Sequence, residues 1–210
     1  ISPRPDLPFG ALVVEEVIGR PPRLPDDMPA IAAAIAALHA LPVPPSEQRA
    51  PLETAPLRRL LGFVENRVNL FAAAGLPPAM LAVLLAELGR AAAQVADLVE
   101  ADLEGPPALV GVDVHPGNFL ITADGRAVLT DLERAQYGHP AADLAHASLP
   151  TSTRWDPDVA ATLTEAETLG FYAAWQAAVG PALAGQWLAA TATARRLVWL
   201  RTLTWMAHWR

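Results

Sequence analysis

The sequence has no cysteine and no lysine. Without cysteine there are no disulfides and no thiolate metal sites. All fifteen basic residues are arginines, and they form no basic run. The net charge is −7 and the isoelectric point is about 5.2. That balance argues against a nucleic-acid partner, because no patch is present to focus phosphates. Charged residues are also scarce, at 18% against 52% hydrophobic, which excludes a disordered chain. No charged segment precedes an apolar run at the start of the sequence, so no signal peptide is expected. The candidate membrane span at 28–38 is short and mostly alanine. It falls below the length a bilayer requires, so no membrane partner is expected and the cytoplasm is the default location. No internal repeat is present.

What the chain has in quantity is alanine and proline, with 21 prolines. The prolines cluster between helical patterns and punctuate them. Ala11 to Ile18 is apolar and β-branched between two glycines, and reads as a strand with no evident partner in the chain. Ile31, Ile35 and Leu38 recur at helical spacing after Asp26-Asp27 and Pro29. Leu57 to Phe71 predicts a second helix ending near Gly75, and Leu81 to Val99 a third. The pattern then changes. Ala108 to Gly111 predicts a short strand, and Phe119–Thr122 and Ala127–Thr130 a hairpin through Asp124-Gly125. Helices are expected again over 140–148, 157–179 and from Pro181 onward. The fold class read from this order is mainly α with a small β-hairpin insertion, in one compact domain of 210 residues.

The polar cluster is concentrated in the β insertion. Asp113-Val-His-Pro-Gly-Asn118 follows the first short strand, and Asp131-Leu-Glu133 follows the hairpin. Asp113 lies in a loop from which a carboxylate can orient a hydroxyl and take its proton. Asn118 opens the hairpin and Asp131 closes it, so both belong to one end of the structure. An amide and a carboxylate are hard oxygen ligands suited to Mg²⁺. Glu133 lies close enough to join the metal or the substrate, and His115 is either a loop-packing residue or a contact for phosphate or substrate. Acid, amide and acid at this spacing fit phosphoryl transfer, which needs positioning and charge neutralisation more than covalent chemistry.

DVHPGNFLI followed by VLTDLERAQYGHPAADLA resembles the aminoglycoside phosphotransferase and choline kinase family, which has a protein-kinase-like fold. The resemblance implies an ATP- and Mg²⁺-dependent kinase that phosphorylates a hydroxyl of an amino-alcohol, aminoglycoside or sugar-like substrate. It implies Asp113 as catalytic base, Asn118 and Asp131 as Mg²⁺ ligands, and Asp143 as structural support for the loop. ALVVEEVIGRP resembles the hinge strand of that family, whose backbone at Glu15, Glu16 and Val17 would meet adenine. Residues 1–20 then read as a hinge strand and linker from an N-terminal lobe lying upstream. Residues 21–210 read as the C-terminal lobe, with a catalytic loop over 111–118 and a metal-binding hairpin over 118–133.

Two departures stand inside the motif. The family's His-Gly before the catalytic Asp is Gly111-Val112 here, and the Asp of its Gly-Asp-Pro is His139. The first bears on loop geometry and the second on local packing. The phosphate-covering loop and phosphate-gripping lysine of such kinases have no counterpart in this sequence. A catalytically degenerate binding module is therefore the alternative reading. A metal-dependent hydrolase is a weaker one, because no histidine pair has zinc spacing. Among the other residues, His39 reads as a surface or cap residue, and Asp26 and Asp27 as helix-start acids. Trp175, Trp187, Trp199, Trp205 and Trp209 read as core, with cation stacking as the alternative. Arg195, Arg196, Arg201 and Arg210 read as a solvated helix face, and Arg134 as an exposed ion-pair partner.

Overall fold

The computed structural model describes residues 14–46, 52 and 55–209, which form nine α-helices and four short strands. Helix α1 spans Met28–His39, with Pro29 in its first turn. Its buried positions are Met28, Ile31, Ala32, Ile35, Ala36 and His39, a stripe with the three-and-four spacing of one helical face. That face lies on α7 (Glu165–Val179), which contributes Phe171, Trp175 and Val179. Helix α7 starts at a full capping box, in which Thr164 and Glu167 each accept the other's backbone N–H. Each large side chain buried here, such as Ile31, Ile35 or Phe171, is worth about 1.5–3 kcal/mol.

A second core forms beside the first. Leu57 and Val64 of α2 (Pro56–Glu65), Phe71 of α3 (Asn69–Ala73) and Leu84, Ala91, Val95 and Leu98 of α4 (Pro78–Glu100) meet α9 (Thr191–His208). The expected single helix from Leu57 to Phe71 is two, because the chain turns at 66–68. Helix α4, and not the 28–38 segment, is the one described helix long and apolar enough to cross a membrane by length and composition. In this structure its buried stripe packs on α2 and α9, and its Glu87 accepts a hydrogen bond from Arg196 Nε at 2.7 Å.

Helix α5 (Pro140–Ser148) joins the two cores. Ala141 faces the α4–α9 core, Leu144 and Ala147 face the α1–α7 core, and Ala145 meets Leu149 and Val198. A helix this short and buried on nearly every side is fixed by its neighbours rather than by propensity. Helices α6 (Pro150–Thr153) and α8 (Pro181–Ala184) are single turns. The expected helix over 157–179 begins only at Glu165, after a 3-10 turn at Pro157–Val159. The expected C-terminal helix from Pro181 is interrupted before α9.

The β structure is two antiparallel pairs rather than one hairpin. Strand β1 (Ala108–Val110) pairs with β4 (Gln136–Gly138), Leu109 opposite Tyr137. Strand β2 (Phe119–Ile121) pairs with β3 (Ala127–Leu129), Leu120 opposite Val128, around the Asp124-Gly125 turn. The expected strand Ala11 to Ile18 falls partly outside the described residues, and Val14 to Ile18 form no strand. The pairing occurs just after it. Arg20 and Ile121 exchange two backbone hydrogen bonds, of 2.9 and 2.7 Å, so the entering chain lies along β2. Asp27 does not cap α1 with its side chain. It accepts two bonds from the Arg20 guanidinium, at 2.6 and 3.1 Å, and one from the Arg23 N–H. The Arg20 hydrogen bond is the main reason its carboxyl lies below the usual range.

Candidate active site

The loop between β1 and β2 is held by its backbone. Asp143, in the first turn of α5, is 1% exposed. Its Oδ2 accepts the Gly111 N–H at 2.7 Å and its Oδ1 the Val112 N–H at 3.0 Å. His146, one turn further along α5, accepts the Val114 N–H at Nδ1, 3.2 Å away. His115 accepts the Gly117 N–H at its own Nδ1, and its carbonyl accepts the Asn118 N–H at 2.9 Å. The Asn118 carbonyl in turn accepts from both the N–H and the hydroxyl of Thr130 on the hairpin's return side. The N–H groups of Gly111, Val112, Val114, Gly117 and Asn118 are therefore spent, which limits the loop's freedom on either side of Asp113.

Two positions in the loop carry steric consequences. A side-chain carbon at Gly111 would come within 2.6 Å of Val114, so the approach of the strand to the loop requires glycine. Val112 has φ +68°, in the left-handed region that β-branched residues avoid. The family pattern has glycine at this place, and the positive φ is the physical reason.

Asp113 itself points outward. Its side chain is 35% exposed, and His115 Nε2 lies 4.0 Å from its Oδ1. Because His115 Nδ1 accepts a hydrogen bond, the neutral ring carries its proton on Nε2, the nitrogen facing Asp113. Asn118 donates from Nδ2 to the Asp113 carbonyl at 2.8 Å, which leaves its amide oxygen with no hydrogen bond among the described residues. Asp131 follows Thr130, the residue bonded to Asn118, so the hairpin brings Asp131 one residue beyond the Asn118 rung. Asp131 and Glu133 are both exposed, and the Glu133 N–H approaches Asp131 Oδ1 at 3.4 Å. The fold thus links Asp113, His115, Asn118 and Asp131 through one loop and one hairpin. Among the described residues no three His, Asp or Glu side chains gather as a ready-made metal cluster, so Glu133 and His115 do not complete one with the two aspartates. Glu15 and Glu16 lie on an exposed irregular segment, with Val17 partly covered.

Several residues near the site take roles different from those expected. His39 is 2% exposed, not a surface or cap residue. Its Nε2 lies 3.2 Å from Asp143 Oδ2, and its Nδ1 accepts the Trp175 indole N–H at 3.1 Å. His39 continues the buried stripe of α1, four residues after Ile35, and that spacing is the signal in the sequence. His139 caps α5 by accepting the Ala141 N–H, and its Nε2 bonds the Glu104 carbonyl at 2.7 Å. Burial pushes its imidazole down to about 4. Burial also holds His146 well below its ordinary value.

The arginines of α9 are not a solvated face, and Arg210 lies outside the described residues. Arg195 donates to Ser148 Oγ at 2.7 Å, and Arg196 reaches Glu87 and Gln94. Arg201 is partly buried, and burial lowers its guanidinium against the opposing pull of the Asp143 and Asp113 carboxylates. The tryptophans divide. Trp175 and Trp187 are core, whereas Trp205 and Trp209 are 46% and 71% exposed. Trp205 lies edge-on to Trp155 at 5.0 Å and also packs near Trp209. The next residue, Asp156, touches the loop, because a side-chain carbon on Gly117 would come within 2.5 Å of its Oδ2.

Solved structures share this fold. An ethanolamine kinase from Plasmodium vivax superposes with a TM-score of 0.61 at 15% identity, over 92% of this chain and 57% of that one. A choline kinase from Cryptosporidium parvum superposes with a TM-score of 0.59 at 14% identity, over 92% of this chain and 62% of that one. The fold is therefore kinase-like, and the chain spans less than two thirds of either relative's length. No curated protein matches the sequence. The model of the phosphotransferase enzyme family (APH) matches residues 2–196, and the chain belongs to that family.

Proposed function

We propose that this chain is the C-terminal lobe of a small-molecule kinase that moves the terminal phosphate of ATP to an alcohol. The observation that carries the reading is the pinned loop. It fixes the backbone on both sides of Asp113 and leaves that carboxylate partly exposed and free of hydrogen bonds among the described residues. Asp113 would orient the acceptor hydroxyl and take its proton as the oxygen bonds to the γ-phosphorus. The bond from that phosphorus to the β–γ bridging oxygen breaks, and ADP leaves.

The residues present fit magnesium. The Asn118 amide oxygen and the Asp131 carboxylate are two hard ligands at one end of the hairpin, and an ion that keeps several waters needs few more. When bound, magnesium neutralises charge on the nucleotide phosphates. The backbone of Glu15 to Val17 makes no hydrogen bond among the described residues, which leaves it open to a nucleobase. A further lobe would supply the phosphate-covering loop and the lysine.

The acceptor would be an amine-bearing alcohol. Exposed Trp155 directly precedes Asp156, which borders the catalytic loop, and it packs on exposed Trp205, which in turn lies near Trp209. Aromatic faces beside a carboxylate favour a cation, and the solved relatives are an ethanolamine kinase and a choline kinase. One observation favours a second reading, a binding module without catalysis: Val112 stands where the family pattern has glycine. Asp113→Ala in the full-length protein separates the two. Loss of the base lowers phosphate transfer by about 10²–10⁴-fold while nucleotide affinity stays within about twofold. Equal turnover in the variant, or none in the wild type, would refute the catalytic role.

A further inference from the structure

A chain of buried polar groups runs behind the catalytic loop, built from residues far apart in sequence. Trp175 Nε1 donates to His39 Nδ1 at 3.1 Å, across 136 positions. An indole nitrogen only donates, so His39 Nδ1 bears no proton and the ring is neutral with its hydrogen on Nε2. That hydrogen faces Asp143 Oδ2 at 3.2 Å. The same oxygen accepts the Gly111 N–H, and its twin the Val112 N–H. His39 and Asp143 side chains are 0% and 1% exposed, so no water competes for these bonds. The rings of Trp175 and Trp187 flank the imidazole edge-on, at 5.9 and 6.5 Å, and hold its plane.

The loop needs such a hold. Val112 lies at φ +68°, a conformation its branched side chain resists, and the next residue is Asp113. The bond from its N–H to Asp143 opposes relaxation of that residue. We infer that His39 and Trp175 are positioning residues for the reaction. The indole sets the imidazole tautomer, the imidazole sets the Asp143 carboxylate, and the carboxylate holds Gly111 and Val112 so that Asp113 faces its substrate. The effect on rate rests on the phosphotransfer reading, whereas the effect on the loop is measured without turnover.

The test uses the full-length protein and two variants. Trp175→Phe keeps the ring packing and removes only the N–H, and His39→Leu removes both polar contacts. Nitrogen NMR of the wild type should show His39 neutral, with its proton on Nε2. Amide exchange at Gly111 and Val112 should speed up about tenfold in Trp175→Phe, the weight of one lost hydrogen bond, and by more in His39→Leu. The kcat should fall about tenfold in Trp175→Phe and up to about 10²-fold in His39→Leu, with the nucleotide KM unchanged, as expected for displaced geometry. Unchanged exchange of both amides in folded Trp175→Phe would overturn the inference, as would a wild-type proton on Nδ1. If His39→Leu does not fold, Trp175→Phe decides alone. A wild type that transfers no phosphate sinks the proposed function, while the tautomer and exchange results still decide the relay.

Discussion

The two sides of the candidate site are built differently. The loop from Gly111 to Asn118 is tied down by Asp143, His146 and its own His115, and Asp143 is buried. The end of the hairpin, from Thr130 to Gln136, is exposed at every residue. Among the described residues Asp131 there has only the long 3.4 Å approach of the Glu133 N–H. The proposed base is thus set before any ligand arrives, and the proposed metal arm is free to adjust. That division suits phosphoryl transfer. The hydroxyl must be aligned within narrow limits, whereas a magnesium ion that keeps several waters tolerates an arm that closes on binding.

The comparison breaks most sharply at the two aspartates. Asp143→Ala should cost about 3–5 kcal/mol, because the buried Gly111 N–H, the part-buried Val112 N–H and His39 lose their acceptor. Asp131→Ala should change stability by less than about 0.5 kcal/mol. Denaturant unfolding of the two variants measures both, and similar values would erase the distinction between anchored and free sides.

Acid should weaken the anchored side next. His139 titrates near 4 in the fold against 6.5 unfolded. Its folded value is depressed, so its stabilisation is complete above about pH 6.5 and is lost as pH falls towards 4. The loss amounts to about 3 kcal/mol. The depressed His146 acts in the same direction. His139→Asn retains a cap for α5 and should flatten this part of the pH profile. An equally steep profile in that variant would place the acid sensitivity elsewhere.

The smallest effect concerns backbone strain. Val112→Gly relieves a positive φ that costs about 1–3 kcal/mol, against about 0.5–1 kcal/mol of added unfolded-state entropy. A gain of about 1 kcal/mol in unfolding free energy is expected. A loss of stability would mean that contacts of the Val112 side chain outweigh the strain.

Much of this was legible in the sequence for local reasons. Helix α1 and the β2–β3 hairpin follow from short-range patterns, the first from its apolar stripe and the second from Asp124-Gly125. The spacing of Asp113, Asn118 and Asp131 was also legible, and the structure connects the three through one loop and one hairpin. What was not legible depends on distant partners. Strand β4 has three residues and no alternation of its own, and only pairing with β1 makes it a strand. His39 looked like a helix end because its acceptor, Asp143, is 104 positions away. Arg196 looked solvated because Glu87 is 109 positions away. Trp205 and Trp209 share the helical spacing of core residues, and only the packing of α9 shows that they face outward.

Hydrogen exchange of the full-length protein, with and without magnesium and ATP, tests the pinned-loop account most directly. The amides of Gly111, Val112, Val114, Gly117 and Asn118 should exchange slowly in both states. Those from Leu132 to Ala135 should exchange fast alone and slow down on binding. Fast exchange across the loop in the free protein, or a hairpin end indifferent to magnesium and ATP, would contradict the account.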